Sequence, residues 1–264
     1  MTRALILLVS YPGQVLSFFL ALALMARRVL VSIDRKRTEW LLGATMVAVP
    51  LGMIAEFFVE RLSWLCPLKY DQYVYRIDSR YGQPSFVLGR AVYPHLWLRV
   101  FLGDSYALLP LVIVGVFAVT LWRCSEAEAL GVARAFAVNL LAAVPLYLLF
   151  PVCGPKFAFV NFPYQQPLHL APHLIALGAA PNGIPSVHMS SALLIAWFLR
   201  HWSWGRIAGG TYLVLTVLAT LGLGQHYVFD LLCGVPYAIA VYWISYRIDA
   251  VPVEDQTPLT TTAT

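Results

Sequence analysis

Runs of about twenty mostly apolar residues recur along this chain, and each is as long as one helix needs to be to cross the hydrocarbon core of a membrane. They cover residues 4–25, 39–57, 104–122, 129–152, 185–202, 207–223 and 227–246. Charge density points the same way: only 12% of the residues are charged, where a soluble domain needs roughly a quarter. The mean hydropathy is +0.72. The expected fold is an all-α, polytopic transmembrane helix bundle of about six to seven spans, forming a single domain over residues 1–250.

Between the second and third runs lies 59–100, rich in Tyr, Arg and Pro. It is too polar to span and too aromatic for a free linker, so it reads as an interfacial helical segment capping one mouth of the bundle on the extracytoplasmic side. Residues 251–264, with a Thr run and two prolines, read as a disordered tail. The first apolar run ends in Arg27-Arg28 without a small-residue cleavage site, so it is expected to be a span and not a leader.

The net charge of +5 says little about nucleic acid in such a chain. Lys and Arg gather at cytoplasmic helix ends, beside anionic headgroups. The cluster Arg27, Arg28, Arg35, Lys36 and Arg37 therefore fixes the first loop inside. The expected topology has seven helices, with the N-terminus outside and the C-terminus inside. Cys66, Cys124, Cys153 and Cys233 show no zinc-type or CxxC spacing. Cys66 and Cys153 both fall outside, where a bridge between them is conceivable in an oxidising compartment.

This topology brings three polar clusters to one level of one face. Asn182 to His188 opens the fifth span, Gln225 to Asp230 opens the seventh, and Cys153 to Lys156 closes the fourth. Ionisable groups near membrane depth are expensive, so each asks for a reason. Pro185 suits a first helical position, which puts His188 in the first turn, where backbone N–H groups and the helix dipole favour an anion. His226 and Asp230 are four apart, as on one face of a helix, so the carboxylate can fix the imidazole tautomer. That makes His226 a candidate nucleophile toward phosphorus and His188 a candidate general acid. Lys156 would neutralise phosphate oxygens, with Ser186, Gln225 and Tyr227 as further substrate-binding candidates. Each has a plainer reading: an interfacial histidine, a structural His–Asp hydrogen bond, a snorkelling lysine. Their conjunction favours chemistry. His169 and His173 read as loop residues among prolines, and Glu56 as an interfacial carboxylate.

Pro185-Ser186-Val187-His188, then His226 with Asp230 four further on, resembles the signature of the type 2 phosphatidic acid phosphatase superfamily over residues 150–246. The resemblance implies a phosphohistidine mechanism with His226 as nucleophile, Asp230 as its orienter and His188 as acid, using no metal and no cofactor. Two arginines of the family pattern are replaced, by Thr220 and by Pro163. In this, and in the stretches Phe150–Lys156 and Gln225–Asp230, the chain is most similar to the branch of inositol phosphorylceramide and sphingomyelin synthases. The expected function is thus a membrane lipid phosphotransferase, moving a phospho-headgroup from a lipid phosphate or phosphodiester donor to a hydroxyl acceptor. Fewer cations suit a singly charged diester better than a monoester. The alternatives are hydrolysis of a lipid phosphate such as phosphatidate or a polyprenyl pyrophosphate, or, from another class, a transporter or an inactive scaffold. A transporter favours broken mid-membrane helices in both halves; here the polar residues sit at helix ends on one side. The expected location is a bacterial-type plasma membrane or a lumenal membrane face, with the site on the non-cytoplasmic side.

Overall fold

A computed structural model describes residue 59, residues 61–164, residues 174–175 and residues 179–249. The first two predicted spans, Glu56, His169, His173 and the 251–264 tail lie outside the described residues.

The elements run β1 (Leu68–Lys69), α1 (Asp71–Ser79), α2 (Pro84–Val92), α3 (Leu96–Ala107), α4 (Leu109–Arg123), α5 (Glu126–Leu149), α6 (Pro155–Ala158), β2 (Leu174–Ile175), α7 (Val187–Leu199), α8 (Ser203–Gly222) and α9 (Val228–Asp249). Among the described residues, three helices are long and apolar enough to cross a membrane: α5, α8 and α9. The predicted third span is broken. Helices α3 and α4 meet at Leu108 with a bend of 48° and, taken together, make a fourth candidate. Pro110 explains the break: it has no N–H to reach the Tyr106 carbonyl four residues back, and its ring crowds that carbonyl. The predicted fifth span is shorter than expected. Helix α7 has 13 residues, about 20 Å at 1.5 Å per residue, against roughly 30 Å of hydrocarbon.

The 59–100 segment folds as a strand, two short helices and the start of α3. Strand β1 pairs antiparallel with β2, Leu68 opposite Ile175, a small sheet in a chain expected to be all-α. Helix α1 buries Asp71, Val74, Tyr75 and Asp78 and exposes Tyr73 and Arg76, with Arg80 exposed just after its end.

Two packed regions matter for the site. Between α4, α5, α7 and α9 lies an apolar core that includes Val116, Phe117, Val132, Phe136, Leu194, Ile195 and Val241. Gly209 of α8 comes so close to the Ala196 backbone of α7 that a Cβ there would sit 2.8 Å from it. Small residues at such crossings are how helices approach in lipid. Polar ties add to this: Asn139 of α5 donates to Ser191 Oγ at 2.9 Å and accepts from Ser190 Oγ at 2.7 Å, and the Tyr237 hydroxyl donates to the Asn139 carbonyl. The other packed region joins α1 and α2 to the motif loops through Tyr75, Phe86, Val152, Phe159, Phe162 and Tyr227. Large apolar side chains such as Leu141, Leu149, Ile207, Val214, Ile239 and Trp243 remain on the outside of α5, α8 and α9, as lipid contact requires.

Candidate active site

Helix α7 begins two residues later than its proline suggested, at Val187. Ser186 is the N-cap, fully buried, and accepts from Met189 N at 3.3 Å; Pro185 precedes it. Ser186 thus shapes the helix start. His188 is the second helical residue. The Val187 and His188 N–H groups, in the first turn, find no carbonyl within the helix and remain available to an anion.

Helix α9 begins at Val228, so His226 lies just before it and not on its face. The predicted pair still forms: His226 Nδ1 is 3.3 Å from Asp230 Oδ2. The same oxygen accepts from Tyr227 N at 2.9 Å, the backbone half of a capping box. Asp230 is fully buried, and its Oδ1 has no hydrogen-bond partner among the described residues. With Nδ1 turned toward the carboxylate, Nε2 is the free nitrogen of His226.

The two imidazoles face one space, their ring centroids 6.2 Å apart. His188 is stacked on the Tyr106 ring, with centroids 3.7 Å apart and planes at 15°. His226 is 3% exposed and its N–H donates to the Thr220 carbonyl at 3.1 Å. Thr220, at a position where the family pattern has arginine, is buried and donates its hydroxyl to Thr216 O of its own helix.

The third cluster arrives as expected. Lys156 N donates to Gly224 O at 2.8 Å, so the loop that ends α5 lies against the loop that carries His226. Gly154 adopts φ +91° and ψ 158°, a region open in practice to glycine alone. A Cβ there would collide with the Gln225 carbonyl. The Lys156 side chain is exposed at this junction, 5.6 Å from the Phe157 ring. Gln225 is half-buried beside it. Tyr227 is fully buried and donates its hydroxyl to Asp71 Oδ1 at 3.1 Å, which makes it an anchor of the loop.

Several residues near the site carry no signal in the motif spacing. Asp71 accepts from Cys153 N at 3.0 Å, from Gly154 N at 2.8 Å and from the Cys153 thiol at 3.4 Å. Asp78 accepts from Val228 N at 2.8 Å and Phe229 N at 3.1 Å. Ser85 Oγ donates to His226 O at 2.9 Å. Arg99, seven residues before Tyr106 on α3, is half-buried with its guanidinium 5.7 Å from the Tyr93 ring, and its Nε has no hydrogen-bond partner among the described residues. Burial pushes the Asp71 and Asp78 carboxyls up to about 6. Burial and the Asp71 carboxylate likewise raise the Cys153 thiol. Cys66 and Cys153 are both free thiols, so the conceivable bridge is not formed.

These features define a membrane-embedded protein whose paired histidines and orienting carboxylate sit at the starts of two helices. A family model described as the PAP2 superfamily matches residues 72–244, more than half of the chain, and the chain belongs to that superfamily. Membership fits a lipid phosphatase or phosphotransferase. No curated protein and no solved structure matches the chain.

Proposed function

We propose that the protein transfers a phosphoryl or phosphodiester headgroup from a lipid donor to a hydroxyl acceptor through a phosphohistidine on His226. The observation that carries this reading is the pair of imidazoles 6.2 Å apart, about two hydrogen-bonding spans, with Nδ1 of one held against Asp230. In the first half-reaction His226 Nε2 attacks phosphorus and a P–N bond forms. The P–O bond to the leaving alcohol breaks, and that oxygen takes a proton from His188. Asp230 stabilises the positive charge on the His226 ring. In the second half-reaction the acceptor hydroxyl gives its proton to His188 and its oxygen attacks phosphorus, and the P–N bond breaks.

The donated N–H groups at the start of α7 suit the non-bridging phosphate oxygens. Lys156, at the junction of the two motif loops, supplies positive charge where the family pattern has two arginines. A site with so few cations fits a diester headgroup better than a dianionic monoester. Near-complete burial of His226 keeps bulk water from the nucleophile, which favours an alcohol acceptor over hydrolysis. Arg76 on α1, Arg80 just after its end and Arg90 on α2, all exposed, suit attraction of anionic headgroups to a cap over the mouth.

The test is headgroup release and transfer on a panel of diester and monoester lipids, each with and without an added alcohol acceptor. Diester donors with acceptor-dependent turnover are expected, abolished in His226→Ala. Equal turnover of monoesters without an acceptor would replace transfer by hydrolysis.

A further inference from the structure

Helix α9 carries the site, yet its own side chains cap only the Tyr227 N–H, through Asp230, and leave the next two N–H groups to another element. Tyr227 occupies the N-cap position, before helical residues Val228 and Phe229, and its side chain cannot accept from them. The missing acceptor arrives from α1, where both oxygens of Asp78 accept from those two N–H groups. Two turns earlier on the same buried face, Asp71 does the same for the other motif loop. Both of its oxygens accept from Cys153 N, and Oδ1 also accepts from Gly154 N and the Tyr227 hydroxyl. The two residues are seven apart, about 10.5 Å along the helix axis, and both are fully buried. Between them, Ser85 of α2 holds the His226 carbonyl. The loop carrying His226 is thus fixed from the cap side over four consecutive residues, His226, Val228 and Phe229 being tied through the backbone and Tyr227 through its side chain.

We propose that Asp71 and Asp78 are positioning residues that set the His226–Asp230 geometry, so that the α1–α2 cap forms part of the phosphoryl-transfer machinery. The proposal rests on His226 being the nucleophile. Its physical basis is that an anion at a helix N-terminus satisfies N–H groups that nothing else reaches. A second consequence concerns the substrate. The start of α9 is already filled by a carboxylate, which leaves the start of α7 as the open anion site between the histidines.

Asparagine is the isosteric probe. Because both oxygens of each carboxylate accept from N–H donors, an amide in either orientation sets an NH2 group against a donor. In the full-length protein in lipid, Asp71→Asn and Asp78→Asn are expected to lower kcat about tenfold or more, with KM within about threefold. Ser79→Ala, on the exposed side of the same helix, serves as control and should leave both unchanged. A readout independent of turnover is the tautomer of His226 in protein labelled with 15N-histidine at alkaline pH. The wild type is expected to hold the Nδ1–H form against Asp230, and the Asn variants to shift toward the Nε2–H form. Ser85→Ala is the milder variant should an Asn variant fail to fold, with the same direction in kcat and tautomer. Unchanged kcat and unchanged tautomer in folded variants would overturn the proposal, even if thermal stability fell. A tautomer shift with no turnover of any lipid by the wild type would sustain the positioning and sink the proposed reaction instead.

Discussion

Replacing Tyr106 by leucine isolates what holds His188 in place. The Tyr106 ring lies nearly parallel to the imidazole, with centroids 3.7 Å apart and planes at 15°. Leucine keeps apolar volume and removes the stacking surface. Aromatic pairs contribute about 0.5–1.5 kcal/mol beyond area burial. If that term holds His188 in its productive orientation, its loss lowers the competent fraction, and kcat, by about 2- to 13-fold. Tyr106→Phe keeps the stack and should retain clearly more activity than Tyr106→Leu. The assay is steady-state headgroup transfer by purified protein in lipid, with unfolding midpoints measured in parallel. Equal activity of the Leu and Phe variants would refute the stacking argument. So would a kcat loss matched by an unfolding that removes the same fraction of active protein.

Gly154→Ala is expected to cost about 2 kcal/mol or more of stability, since φ +91° excludes a side chain and the Gln225 carbonyl occupies its space; a midpoint unchanged in thermal unfolding would contradict this. Native-state maleimide labelling followed by mass spectrometry should modify Cys66 faster than Cys153, which is buried and hydrogen-bonded to Asp71; equal rates would contradict the described loop. Asp71 and Asp78 titrate at about 6 in the folded protein, against about 3.9 in an unfolded chain. Their contribution to stability is therefore complete below about pH 4 and lost as pH rises through about 6. In an Asp71→Asn, Asp78→Asn double variant the dependence of the unfolding midpoint on pH should flatten across that window, and an unchanged slope would argue against buried carboxyls.

The meeting of His188, His226 and Asp230 is legible in the sequence because ionisable side chains at the starts of apolar runs are too costly in lipid to be kept without chemistry to do. The contact of the 150–156 loop with the His226 loop agrees with the expectation that these segment ends share one level. Local detail is harder to read. His226 reaches Asp230 from outside the helix, because Asp230 folds back onto the Tyr227 N–H, a choice that spacing of four does not reveal. Asp71 and Asp78 are hidden in a short polar stretch where carboxylates ordinarily face water. The signal is present nonetheless: no Ser, Thr, Asp or Asn stands where α9 needs a cap, while two Asp residues seven apart stand on a nearby amphipathic helix. Tyr106 looks like one of many aromatic belt residues, since stacking depends on tertiary approach. The bend at Leu108 can be read from Pro110, which the apolar run conceals. Ser186 and Tyr227 adjoin the motif histidines in sequence, and their structural hydrogen bonds, to Met189 N and Asp71, depend on local and tertiary geometry that spacing does not show.

The proposed reaction turns on a covalent bond between phosphorus and His226. Protein mixed with a labelled lipid donor, quenched in alkali within the first turnover and digested, can be searched by mass spectrometry for an acid-labile adduct. The expected result is an adduct on the peptide containing His226, dependent on donor, discharged by acceptor alcohol and absent in His226→Ala. Turnover that survives His226→Ala, or a phosphoryl adduct found on another residue in the wild type, would contradict it.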